Sequence, residues 1–250
     1  MKTAEEVAAT LDGAQVFSVL DASQAFHQIR VSEETSKLLV YNTLFGHYKY
    51  KRLPFGICSA PKVWERILTQ MFSDIPGAEI IRDKIIIKGR NTEEHDRILE
   101  ETLARARERG MKFKLEKCEF AVPEVKNQGH IWGQDGVRID PNRTEAIANF
   151  PVPENVDDVR RFLGVVNYVG KFVPNMSSRS EPLRILMNKD IAWHWENDQQ
   201  RAFEDLKKCV SEAPVLKYCS LSEPIVVKVD ASTKGVGACL LQSGKPVHYA

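Results

Sequence analysis

The sequence lacks the features that mark membrane, secreted and strongly charged proteins. No apolar run approaches the ~20 residues that span a bilayer, and the start of the chain has no apolar signal core. Lys and Arg number 35 against 34 Asp and Glu, so the formal net charge is only +1 and no global field indicates a nucleic-acid partner. We expect an intracellular chain, cytoplasmic or nuclear, with no signal peptide, transmembrane segment or membrane partner. Nucleic-acid binding would then need local patches, such as Lys49, Lys51 and Arg52.

Closely spaced cysteines are also missing. The five cysteines are scattered, without the close pairs of a zinc site or a redox motif, so we expect reduced thiols that mostly pack. They are Cys58, Cys118, Cys209, Cys219 and Cys239. With 43% hydrophobic and 28% charged residues over 250 positions, the chain is of ordinary globular composition. It is long enough for one large core or for two or three smaller ones.

Two aspartates lie where predicted strands end. Alternation over 16–20 predicts a buried strand that places Asp21 at its terminus. Isoleucine-rich strands at 80–81 and 85–87 flank a charged turn that presents Asp83. Two such carboxylates can converge on a divalent metal when their strands are neighbours. Spacing alone leaves the plainer alternative open, because an Asp at a strand end is typically a turn former or a helix cap.

Helices and further strands follow from capping and spacing signals. Pro61 is suited to the start of a helix with an apolar face, and Asn91 with Glu94 opens another that reaches Gly110. A short strand is predicted at 111–115 and others follow farther on. Later elements are two capped helices, a helix after Trp193, and strands that include one from 225 to 229 ending in Asp230. The pattern predicts an α+β chain.

Several ordered motifs resemble the reverse transcriptase of gypsy-type long-terminal-repeat retrotransposons. The motifs are FSVLDASQAFHQI at 17–29, RLPFGICSAP at 52–61, DKIIIKG at 83–89, KCEF at 117–120 and RFLG at 161–164. VDAS at 229–232 is similar to the opening of the ribonuclease H domain joined to that polymerase. The resemblance implies a palm with an antiparallel sheet over 1–138 without its fingers, thumb or connection helices over 139–190, and the first part of a ribonuclease H-like domain over 191–250.

The same resemblance implies roles for single residues. Asp21 and Asp83 match catalytic, metal-binding aspartates, and Asp230 matches one of the four ribonuclease H carboxylates. Positions that match the nucleotide-binding part are Ala22, Phe26, Phe55 and Gly56, and those of the primer grip are Gly129 and His130. Phe26 matches the steric gate against a ribose 2′-hydroxyl, with core packing as its plainer alternative. The implied cofactor is Mg²⁺ or Mn²⁺, and the implied partners are an RNA or DNA template with its primer, and deoxynucleotides.

One departure from the family stands inside its most specific motif. The aromatic-x-Asp-Asp turn reads Ile81-Arg82-Asp83-Lys84 here. At 4 Å and an effective dielectric of 20, an ammonium would be repelled by Mg²⁺ by about 8 kcal/mol. Lys84 must therefore point away or pair with Asp83, and we expect polymerase activity to be severely reduced or absent.

The two ends of the chain add to the expectation that polymerase activity is reduced or absent. The family's fingers segment would precede Thr3, and only Asp230 represents the four ribonuclease H carboxylates. The leading hypothesis is a fragment of a retrotransposon polymerase with impaired nucleotidyl transfer to a primer 3′-hydroxyl. The alternative is a catalytically silent binder of nucleic acid or protein, and a translated remnant without a selected role is a third.

Overall fold

The computed structural model describes residues 4–220, 222–232 and 235–250, so the position of Thr3 lies outside the described residues. The chain divides into two compact units, Met1–Val125 and Lys126–Ala250. Within the described ranges, no helix combines the length and apolar content that a membrane crossing needs.

The first unit is built around a four-stranded antiparallel sheet. Its helices are α1 (Ala4–Thr10), α2 (Glu33–Leu38), α3 (Ala60–Phe72) and α4 (Thr92–Glu108). Its strands are β1 (Val16–Asp21), β2 (Val40–Thr43), β3 (Gly46–Lys49), β4 (Ala78–Ile81), β5 (Lys84–Gly89) and β6 (Glu119–Val122). The order β4-β5-β1-β6 places β1 and β5 at the centre, and β2 with β3 forms a separate hairpin.

The core of this unit forms because the central strands are apolar on both faces. Ile85, Ile86 and Ile87 have no exposed surface, a continuous run typical of strands covered on both sides. Leu68 of α3 and Ile98 of α4 belong to the cluster that covers one of these faces. Packing against these helices therefore fixes the positions of β1 and β5 within the sheet.

Capping signals place α4 as predicted. The Asn91 side chain accepts from the Glu94 amide at 2.8 Å, and the Glu94 carboxylate accepts from the Arg90 amide at 2.8 Å. The helix ends before Gly110, whose φ is +68°, the left-handed conformation usual just after a helix. Helix bounds in this unit therefore follow local chemistry.

The second unit joins two small sheets to four helices. The helices are α5 (Pro141–Ala148), α6 (Val156–Tyr168), α7 (Met176–Ile185) and α8 (Asn197–Ser211). The strands are β7 (Glu124–Asn127), β8 (His130–Gly133), β9 (Gly136–Ile139), β10 (Val226–Ser232), β11 (Gly235–Gln242) and β12 (Lys245–Tyr249). Strands β7-β8-β9 form one sheet, and β10-β11-β12 form the other. Helices α6 and α8 are in contact, because the ring centroids of Phe162 and Phe203 lie 4.6 Å apart.

Two strand predictions were wrong in their bounds. Residues 111–115 form no strand: Phe113 makes one isolated bridge to Ala22, and a 3₁₀ turn occupies Leu115–Lys117. Strand β10 does not end at Asp230 but runs on to Ser232, because Asp230 pairs with Gly237 inside the β10–β11 ladder. Local patterns do not reveal how far a neighbouring strand extends the pairing.

Candidate functional site

Asp21 is the last residue of β1, as the sequence predicts. Its amide donates to the Cys118 Sγ at 3.4 Å, and its carbonyl accepts from the Lys114 amide at 2.8 Å. The residue is only 8% exposed. These contacts fix its backbone at the end of the buried sheet.

Asp83 lies beside Asp21, on the turn between β4 and β5. Strand β4 ends at Ile81 and β5 begins at Lys84, so Arg82 and Asp83 form the turn, with a φ of +55° at Arg82. The Asp83 carbonyl accepts from the Ala22 amide at 3.4 Å. This hydrogen bond places the end of β1 beside the turn between β4 and β5. Asp83 is exposed.

Lys84 faces Asp21 directly across the β1–β5 ladder. Directly opposite residues of an antiparallel pair project to the same face, with their Cβ atoms about 5 Å apart. The half-buried Lys84 side chain therefore shares the face of the Asp21 carboxylate. Among the described residues Lys84 makes no ion pair, so pairing with Asp83, one of the two alternatives that the sequence left open, is not observed.

Two predicted nucleotide-binding aromatics meet. The rings of Phe26 and Phe55 lie 5.1 Å apart, and His27 meets Phe55 edge-on at 5.0 Å. Phe26 is partly buried against the core of the first unit, whereas Phe55 is 57% exposed. Phe26 therefore packs in the core and also supports an exposed ring next to Gly56. The fourth residue of this group, Ala22, is buried.

The predicted primer-grip residues belong to the second unit. Gln128 and Gly129 form the turn between β7 and β8, both with positive φ, at +51° and +75°. The His130 ring is buried and stacks on Tyr168 at 5.4 Å and on Phe172 at 5.6 Å. The backbone of the turn, not the imidazole of His130, is therefore the part that a ligand would contact.

The remaining predicted groups are Asp230 and the basic patch of Lys49, Lys51 and Arg52. Asp230 is exposed on β10. In the basic patch, Lys49 is paired with Glu33, which holds the pKa of that carboxyl below its usual value through their hydrogen bond. Arg52 donates to the His27 and Gln28 carbonyls at 3.0 and 3.1 Å, so less charge is free at this patch than the sequence indicates.

The sequence did not predict a chain of hydrogen bonds that joins Ser18, His95 and Asp96. The Ser18 Oγ lies 2.8 Å from the His95 Nε2, and the His95 Nδ1 lies 2.8 Å from an Asp96 carboxylate oxygen. Because that carboxylate only accepts, Nδ1 donates to it, and in the neutral imidazole Nε2 then accepts from Ser18. Ser18 Oγ also accepts from the Ala121 amide at 3.0 Å, at a β1–β6 register irregularity. Ser18 and His95 have no exposed surface, so this Ser-His-Asp chain supports the fold and is closed to substrates.

We predict that His95→Ala lowers the free energy of unfolding by about 2–4 kcal/mol, because it opens a cavity and leaves the Ser18 hydroxyl without its acceptor. Urea unfolding measures the change. The matched control is Asp96→Asn, which keeps an acceptor for Nδ1 at an exposed site and is expected to change stability by less than about 0.5 kcal/mol. A loss below about 1 kcal/mol in His95→Ala would contradict a supporting role of this hydrogen-bonded chain in the fold.

Family models now identify the chain. Residues 1–166 match the model described as reverse transcriptase (RNA-dependent DNA polymerase). The chain belongs to the reverse transcriptase family. Residues 195–250 of this reverse transcriptase-family chain match the model of the RNase H-like domain found in reverse transcriptase. The resemblance seen in the sequence is confirmed for both parts.

Relatives come from transposons. The chain is 30% identical over 248 residues to the retrovirus-related Pol polyprotein from transposon 297 of Drosophila melanogaster, covering 98% of this chain and 23% of that protein. It is 30% identical over 240 residues to the transposon Tf2-7 polyprotein of Schizosaccharomyces pombe, covering 95% and 18%. The chain thus spans about a fifth of the length of these relatives.

Solved structures confirm the α+β fold. A foamy viral protease-reverse transcriptase in complex with double-stranded DNA superposes with a TM-score of 0.90 at 24% identity, over 100% of this chain and 45% of that one. The same viral enzyme in complex with an RNA/DNA hybrid gives 0.87 at 23% identity, over 100% and 35%.

The residues present do not fit the metal site that the family implies. Reverse transcriptases and RNase H-like domains generally use divalent metal ions, and two hard cations at one site need several oxygen ligands. Asp21 and Asp83 supply two carboxylates, and the strand pairing sets the Lys84 side chain on the same face of the sheet as Asp21. No group of three or more His, Cys, Asp or Glu side chains suited to a metal occurs in the part of the chain that the structure describes.

Proposed function

We propose that the chain is a segment of a retrotransposon reverse transcriptase that binds a primer annealed to an RNA or DNA template, and whose nucleotidyl transfer to the primer 3′-hydroxyl is impaired. Mg²⁺ or Mn²⁺ and deoxynucleotides are the proposed cofactor and substrates of its lineage. We assign the palm to 1–138, the thumb and connection helices to 139–190, and a ribonuclease H-like part to 191–250. The family match and the DNA and RNA/DNA complexes of the structural neighbours support nucleic-acid binding.

The observation behind the impairment is the register of β1 and β5. It pairs Asp21 with Lys84, so an ammonium stands where the site needs negative charge. At 4 Å and an effective dielectric of 20, the electrostatic repulsion between the ammonium and a divalent cation is about 8 kcal/mol. The ammonium therefore opposes the attraction that the Asp21 carboxylate offers to a cation.

Other residues take the roles that the family resemblance implies. Asp21 and Asp83 are the proposed catalytic, metal-binding carboxylates. The Ala22 backbone carbonyl is a further metal ligand that the family resemblance implies. The contact of Phe26 with Phe55 supports a shared role at the nucleotide sugar. The left-handed turn at Gly129 supports a primer grip that acts through its backbone.

The second candidate is a silent binder of nucleic acid or protein. The exposed hairpin of β2 and β3 favours it, because Leu44 and Phe45 at its turn are 99% and 89% exposed. Exposed apolar groups of this size are typical of interaction surfaces. This candidate shares the binding activity of the first and differs in having no latent polymerase site.

We predict that the unaltered chain binds a recessed primer on an RNA template but extends it at close to background rate with either Mg²⁺ or Mn²⁺. Anisotropy titrations from about 50 to 200 mM salt measure binding, and the logarithm of the association constant should fall linearly with the logarithm of the salt concentration. Gel-resolved primer extension measures transfer, with a no-metal reaction as the control. Sustained extension would refute the impairment, and salt-independent or absent binding would refute the nucleic-acid partner.

A further inference from the structure

A cavity of about 230 Å³ lies in the first unit, between α3, the end of the 3₁₀ turn Ala25–Gln28 and the residues that follow α4. Of the residues that the structure describes, none with a role in the family resemblance lines this cavity. An apolar cavity of about 150 Å³ holds one benzene ring. The cavity is therefore large enough for a small ligand of one or two fused rings.

The wall that α3 contributes is apolar. Trp64, Ile67 and Met71 follow one another at spacings of three and four residues, so they share one face of the helix. Trp64 is only 3% exposed, and its buried indole N–H has no hydrogen-bond acceptor among the described residues. Buried donors without an acceptor are rare in folded proteins. Trp64 therefore brings to this wall an apolar ring and a donor that lacks a partner.

The opposite wall is fixed by the side chain of Gln28. Its Nε2 donates to the Ser23 carbonyl at 2.6 Å and to the Lys112 carbonyl at 2.9 Å. Its Oε1 accepts from the Lys112 amide at 2.8 Å. These three bonds tie the 3₁₀ turn to the segment that follows α4. The cavity is thus formed in advance, which lowers the entropic cost of binding a ligand.

Two arginines at the rim of this cavity have no acidic partner. Arg30 and Arg109 both line the cavity and are exposed, and neither makes an ion pair with a residue that the structure describes. Arg105, one turn earlier than Arg109, is by contrast bonded to an Asp74 carboxylate oxygen at 3.0 Å. No Asp or Glu of the described ranges lines the cavity. The rim therefore carries positive charge that an anionic ligand can compensate.

We propose that this cavity binds a small aromatic carboxylate, with its ring against Trp64, Ile67 and Met71 and its carboxylate on Arg30 and Arg109. The planar guanidinium fork matches a carboxylate in two parallel hydrogen bonds. Aromatic and thioether side chains pack favourably against an aromatic ring. A mostly apolar cavity with a few convergent polar groups is the usual form of a small-molecule site. The inference goes beyond the proposed function and does not rest on it.

The test is calorimetric titration of the chain with 2-naphthoate at about 100 mM salt. We expect one site with a Kd of about 10–100 μM. The neutral 2-naphthamide should bind at least about 10-fold more weakly, because it loses the charge-assisted bonds. Arg30→Gln and Arg109→Gln should each weaken the binding of 2-naphthoate by about 5–10-fold. Ile67→Trp should abolish binding, because the larger side chain fills the cavity.

The matched control is Arg107→Gln, which removes the same charge from an exposed position in the last turn of α4 that does not line the cavity. Its affinity for 2-naphthoate should stay within about 2-fold of that of the unaltered chain, because salt screens a distant exposed charge. Circular dichroism melting verifies each fold, and Ile67→Phe replaces Ile67→Trp should that variant unfold. Absence of binding by the unaltered chain, equal binding of 2-naphthamide, or an equal loss in Arg107→Gln overturns the inference.

Discussion

Replacing Lys84 with Asp should raise Mg²⁺-dependent primer extension at least about 100-fold over the unaltered chain, a difference of about 2.7 kcal/mol in the barrier. The substitution removes an ammonium from the face of Asp21 and places a carboxylate there, because residues 21 and 84 are paired across β1 and β5. The expected gain is well below the full Coulombic repulsion of about 8 kcal/mol, since water and side-chain motion screen the charge. Gel-resolved extension on an RNA template measures it.

Two further variants separate charge removal from ligand gain. Lys84→Gln removes the positive charge without adding an anion, so we expect a gain of no more than about 10-fold. Asp21→Asn in the Lys84→Asp background should abolish the gain, because the first carboxylate is then missing. If Lys84→Asp folds and binds primer-template normally but extends no faster, the silent-binder hypothesis is favoured over an impaired polymerase.

Replacing Gly136 with Ala should lower the free energy of unfolding of the second unit by at least about 4 kcal/mol. Gly136 has a φ of +128°, and a Cβ there would lie 2.1 Å from the Leu216 carbonyl oxygen. That oxygen accepts from the Val137 amide at 2.8 Å, and the Leu216 amide donates back at 2.8 Å. Because the obstacle is hydrogen-bonded backbone and not a flexible side chain, relief requires breaking both bonds. Urea unfolding followed by the fluorescence of buried Trp132 measures the loss.

Gly164→Ala is the matched control for this prediction. Gly164 lies inside α6, and nothing stands within 4 Å of the Cβ that alanine would add. We expect a gain of about 0.5–1 kcal/mol, because alanine favours the helix and restricts the unfolded chain. A loss below about 1 kcal/mol in Gly136→Ala would show that the contact with Leu216 yields easily.

Local chemistry made several elements predictable. Asn91 and Asn155 cap α4 and α6 through their own side chains, so the signal lies within four residues. Helix α2 was missed, although Ser32 caps it, because its six residues carry no apolar periodicity. The strand expected at 111–115 does not form because Met111 and Phe113 pack against the core of the first unit without a ladder partner.

The sequence by itself determined the family, the α+β class, the strand that ends at Asp21 and the turn that presents Asp83. It did so because motifs, caps and apolar periods are written in short stretches of chain. Only the tertiary structure decided that Lys84 faces Asp21, that Ser18 bonds to His95, and that Gln28 bonds to Lys112. These contacts join residues far apart in the chain, and they depend on strand register and side-chain packing, which no local pattern encodes.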